Sequence, residues 1–134
     1  MTATAESIYA GEWLKWMIER GFCLENRVIE AVAAPGLATV SGDVMRLKTG
    51  AKLQTVSAAT GGDAVAILVE PVSLADSLAD ANRLCIVRGP AIIDSDKLTF
   101  TTSATQKAAA LTALAALGII AVNSALCTWD TQTT

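Results

Sequence analysis

Short apolar runs separated by small polar turns dominate the chain. Arg27-Val28-Ile29-Glu30-Ala31-Val32 reads as a strand and ends at the turn signal Pro35-Gly36. Residues 44–47 and 52–56 flank Thr49-Gly50, a spacing that predicts a hairpin. Ala64-Val65-Ala66-Ile67-Leu68-Val69 has no polar face, which predicts a strand covered on both sides and stopped by Pro71. Leu74-Ala75-Asp76 and Leu78-Ala79-Asp80 read as a surface turn or short helix. A second apolar strand is predicted over 83–88, broken by Gly89-Pro90. Residues 91–93 continue it to the turn Asp94-Ser95-Asp96, from which 97–100 return. Ser103, three residues before Gln106, makes a capping box, so a helix is expected over about 104–117. Leu111, Leu114 and Leu117 then share one side, and Gly118 is the stop. Residues 119–122 give a last β-branched strand. Several short strands and one helix in the C-terminal half make a mainly β fold.

The N-terminal part is less regular. Residues 1–8 are small and polar and are expected to be mobile. From Gly11 to Phe22 both periods fit: Trp13, Trp16, Met17 and Arg20 have helical spacing, while Leu14, Trp16 and Ile18 alternate as in a strand. Tyr9, Trp13, Trp16 and Phe22 stand in this region, leaving only Phe100 and Trp129 elsewhere. Aromatic side chains bury about 150–250 Å² each and dominate interface energetics. The four can complete the domain's own core, or ride on an extended arm that inserts them into a partner or neighbouring subunit. Their clustering favours the arm. The expected organisation is therefore an N-terminal docking arm over 1–36 and a β-rich domain over 37–134, with Tyr9, Trp13, Leu14, Trp16 and Phe22 as contact residues.

Composition narrows the chemistry. At 134 residues, 52% apolar and 17% charged, the chain has room for one self-sufficient core and is not disordered. Alanine, at 25 residues, makes that core thin-layered. Histidine is absent, which removes the commonest general base and metal ligand. A net charge of −3 argues against nucleic-acid binding. Cys23, Cys85 and Cys127 form no CxxC pair, and an odd count without a secretory signal pattern suggests reduced thiols. Cys85 lies in the apolar run Leu84-Cys85-Ile86-Val87 and reads as a core residue. Residues 108–128 carry no charge, but Thr112, Gly118, Asn123 and Ser124 interrupt them, which favours a buried helix and strand over a membrane span. Gly61-Gly62 lacks the Gly-Lys-Ser/Thr of a phosphate loop. Asp76/Asp80 and Asp94/Asp96 lack a calcium-loop frame and read as solvated turn residues, with Arg83 and Arg88 as possible ion-pair partners. An enzyme would have to work with Asp and a lysine such as Lys97 or Lys107. No catalysis, cofactor or metal is expected.

Against this background, four segments resemble the lambda-type head decoration proteins of tailed bacteriophages. They are Ser41-Gly42-Asp43-Val44-Met45-Arg46-Leu47, Gly62-Asp63-Ala64-Val65-Ala66-Ile67-Leu68-Val69, Leu84-Cys85-Ile86-Val87-Arg88-Gly89-Pro90-Ala91 and Ala113-Leu114-Ala115-Ala116-Leu117-Gly118-Ile119-Ile120. They fall in consistent order over roughly residues 40–122, with Ala66 where the family pattern suggests glycine. The resemblance implies a compact β-clip-like domain that forms homotrimers on the outer surface of the virion. Such trimers cap three-fold positions of an expanded shell of major capsid protein and stabilise it without covalent chemistry, nucleic-acid contact or membrane. They pass through the host cytoplasm during assembly. Another minor structural role in the virion, such as a head-fibre base or shell component, is the alternative.

Overall fold

The computed structural model describes residues 13–47, 51–56, 61–99 and 107–122. Five strands close into a barrel: β2 (Leu24–Ile29), β3 (Val44–Leu47), β4 (Leu53–Thr55), β5 (Ala64–Leu68) and β6 (Ala81–Ile86), in the order β2-β4-β3-β5-β6. Its longest ladder is antiparallel, from Leu24 opposite Ile86 to Ile29 opposite Ala81. The predicted hairpin is present as the antiparallel β3–β4 pair. Beside the barrel lies a three-stranded sheet, ordered β1 (Leu14–Met17), β7 (Ala91–Asp94), β8 (Ile119–Val122). β1 runs antiparallel to β7, and β8 parallel to it. Among the described residues two α-helices complete the frame, α1 (Arg20–Cys23) and α2 (Lys107–Ala115).

Alternation along the strands sorts the side chains into two cores. Ile29, Met45, Leu53, Ala66, Leu68 and Cys85 come from all five barrel strands and fill its interior. Val44, Ile67 and Ile86 face the other way and meet Ile93, Ala110, Leu114 and Ile119 from the small sheet and α2. The uninterrupted apolar run at β5 is thereby explained: one set of its residues lines the barrel and the other joins the second core.

The small sheet depends on a close backbone crossing. Gly89 N–H donates to the Leu117 carbonyl at 2.8 Å, and Ala91 N–H to the Gly118 carbonyl at 3.1 Å. A Cβ on Gly89 would stand 1.9 Å from the Gly118 oxygen, so no side chain fits there. Gly118 itself has φ +88° and ends the helical turn, as predicted for a C-terminal stop.

Several boundaries differ from the sequence reading. β2 spans Leu24–Ile29 rather than 27–32, because Val32 N–H leaves the ladder for the Ser77 carbonyl at 2.7 Å. No strand returns over 97–99: the Asp94 carboxylate accepts from Asp96 N–H and caps a 3₁₀ turn, after which Thr99 makes an isolated bridge to Asp43. Phe100 and residues 104–106, the expected helix start, lie outside the described residues. α2 buries Ala110 and Leu114, one turn apart, while Leu111 is half-buried and Leu117 falls in the turn beyond the helix. Residues 14–22 resolve the double periodicity by sequential use, with a strand from Leu14 followed by α1 from Arg20. Of the expected arm over 1–36, the part that the structure describes packs with the rest of the chain: Trp13 is buried, β1 belongs to the small sheet and β2 closes the barrel.

Candidate functional site

The five expected contact residues separate into different environments. Tyr9 lies outside the described residues. Trp13 is 1% exposed and belongs to the core between barrel and sheet. Its indole N–H donates to the Ser41 hydroxyl at 3.0 Å, and Gly42, at φ +96°, lets the ring pass within van der Waals reach. A tryptophan with its ring sealed and its polar atom satisfied is a framework residue. That corrects its assignment as a surface anchor. Leu14 is half-buried against the same core.

Trp16 and Phe22 do present surface. Strand register shows what accompanies Trp16: it lies opposite Ile92, which in turn lies opposite Ile120. These three stand 48%, 37% and 48% exposed, in a row across all three strands of the small sheet. Residues opposite one another share a face, so one aromatic and two β-branched side chains form a continuous apolar stripe. Ile18, also exposed, follows at the end of β1, where its N–H bonds the Pro90 carbonyl at 3.0 Å. The sequence reading missed Ile92 and Ile120. Their signal was the pair of consecutive isoleucines at 92–93 and 119–120: in a half-covered strand, one of each must point outward.

Phe22 lies under the Arg88 guanidinium, at 5.1 Å from the ring centroid. Arg88 also donates to the Phe22 carbonyl at 2.6 Å and to Glu25 at 2.9 Å, and Arg27 reaches the other Glu25 oxygen at 2.8 Å. The hydrogen bond from Arg88, reinforced by Arg27, holds the Glu25 carboxyl below its ordinary range. The cluster ties α1 to the end of β6.

The remaining candidates for chemistry are structural. Arg83 pairs with Asp76 at 3.0 Å, as the sequence suggested for Arg83, whereas Arg88 takes Glu25 in place of the turn acids. Asp80 accepts from Ala31 N–H and pairs with Lys52 at 2.7 Å; that lysine, more than the amide, keeps its pKa low. Cys85 is buried in the barrel, and burial pushes its thiol up to about 12, so it is inert at neutral pH. Among the described residues no three metal-ligating side chains gather, and no helix is long and apolar enough to cross a membrane.

What the surface offers is an apolar stripe across a three-stranded sheet, suited to protein contact. No curated protein sequence matches the chain. Residues 3–119, which run from ahead of β1 to the first residue of β8, match the family model of bacteriophage lambda head decoration protein D. A mainly β domain without a metal cluster among its described residues, carrying an exposed contact stripe, thus belongs to the bacteriophage lambda head decoration protein D family.

Proposed function

We propose that the protein binds the outer surface of the expanded phage head as a homotrimer, at three-fold positions of the major capsid protein lattice, and stabilises the shell by contact alone. The observation that carries this reading is family membership over residues 3–119, because the family is one of phage head decoration proteins. The physical account follows from linkage. A ligand that binds the expanded lattice and not its precursor stabilises the expanded state by the free energy of that binding. Three chains held together engage three capsid subunits at once, so modest affinity per chain multiplies through effective concentration.

On the described surface the contact set is Trp16 and Phe22, each facing capsid or neighbouring subunit, with Tyr9 on the segment ahead. Trp13 and Leu14 serve as framework. β1 and β8 lie at the two edges of the small sheet, which supports strand addition as the backbone mode of docking. The test is co-sedimentation of the purified protein with expanded and unexpanded heads. Saturable binding to expanded heads alone is expected; equal binding to both, or none, would refute the proposal.

A further inference from the structure

A closed ring of identical chains needs two different surfaces on each chain, one complementary to the other. The Trp16–Ile92–Ile120 stripe is one protruding candidate. Its three side chains leave on the order of 300 Å² of apolar surface uncovered. Against the roughly 800 Å² that each partner gives to a standard interface, that is enough for the apolar centre of one contact between two chains, with a polar rim around it.

The complementary surface is concave. A depression of about 190 Å³ opens between the barrel and the α2–β8 turn, lined by Leu47, Val65, Val87, Leu117 and Arg27. A cavity of about 150 Å³ accepts a benzene ring, so this one has room for a single large side chain. Two observations mark it as more than a packing fault. Leu47 and Leu117 are exposed leucines at its rim. Arg27, held by Glu25 at one Nη, has its Nε buried with no hydrogen-bond partner. An unmet buried donor is costly and rare in a finished structure. A carbonyl oxygen carried in beside it would satisfy the unmet donor, while an indole face could stack on the guanidinium plane.

We infer that the occupant is a second copy of this chain: Trp16, flanked by Ile92 and Ile120, enters the neighbour's Arg27–Leu47–Leu117 depression, and three such contacts close the ring. The inference rests on the trimer reading above and names the surfaces that make it. The chain itself supplies both halves, an aromatic knob and an apolar hole with a cation at its wall.

Sedimentation equilibrium on four samples tests this, with far-UV circular dichroism to confirm folding. The wild type is expected at three times the monomer mass. Ile92→Lys with Ile120→Lys removes the knob, and Leu47→Lys with Leu117→Lys removes the hole; all four positions are exposed. Each double variant is expected as a folded monomer, and an equimolar mixture of the two, which retains one intact knob and one intact hole, as a pair. Trp16→Ala alone should raise the dissociation constant about 30-fold or more, as for a central aromatic anchor. If both double variants stay trimeric, the surfaces are misassigned while the trimer stands. A knob variant that remains trimeric but no longer binds heads would assign the stripe to capsid protein and overturn the inference. A wild type that is monomeric at all concentrations overturns the inference and the trimer together.

Discussion

Replacing Trp13 by alanine should behave as a core deletion, in contrast to the same change three residues on. Trp13 is 1% exposed, and its indole N–H is bonded to Ser41. Burial of an aromatic of this size, at about 25 cal/mol per Å² over roughly 200 Å², amounts to about 5 kcal/mol. Large-to-small changes of this kind cost about 3–5 kcal/mol, a large share of the 5–15 kcal/mol that holds a domain together. Trp13→Phe keeps most of the ring, loses the hydrogen bond and should cost about 1–2 kcal/mol. Trp16→Ala, on a half-exposed side chain, should change the stability of the chain itself by about 0.5 kcal/mol or less. Urea unfolding followed by circular dichroism, at protein concentrations diluted until each midpoint no longer depends on concentration, gives these differences for the unassociated chain. A Trp13→Ala midpoint within 0.5 kcal/mol of the wild type would refute the placement of this residue in the core.

Other outcomes follow from the same geometry. Gly89→Ala would set a methyl 1.9 Å from the Gly118 oxygen, so the β7–β8 pairing must shift, at a cost of about 1–3 kcal/mol or more; thermal melting checks it. Glu25 has a folded pKa held below the ordinary 4.5 by Arg88 and Arg27. Its contribution is therefore complete above pH 4.5 and lost as pH falls through the lowered value. The pairs are solvent-exposed, so Glu25→Gln should cost at most about 1 kcal/mol at pH 7 and progressively less as pH falls below 4.5. Cys85, buried and with its pKa near 12, should take up no maleimide at pH 7.5 in the native protein and react fully in urea, as read by mass spectrometry of its peptide.

The strands at 44–47, 64–68, 91–94 and 119–122 were legible in the sequence because their apolar runs are bounded by glycine, proline or aspartate, which act locally. The place of Trp13 was not. What buries it is Ser41 and Gly42, 28 and 29 positions along the chain, and no local pattern separates a tryptophan waiting for such a partner from one waiting for another molecule. Barrel closure was equally hidden, since the parallel β2–β4 contact joins strands that are distant in sequence. The contact stripe lies between these cases. Each of its residues sits on a strand the sequence predicted or permitted, but only the register Trp16–Ile92–Ile120 reveals that they form one face.

The most direct measurement is an image reconstruction of expanded heads saturated with the protein. Density for three chains around each three-fold position, absent from undecorated heads, is the result our account predicts. Added density away from those axes, or three-fold positions that remain bare at saturation, would contradict it.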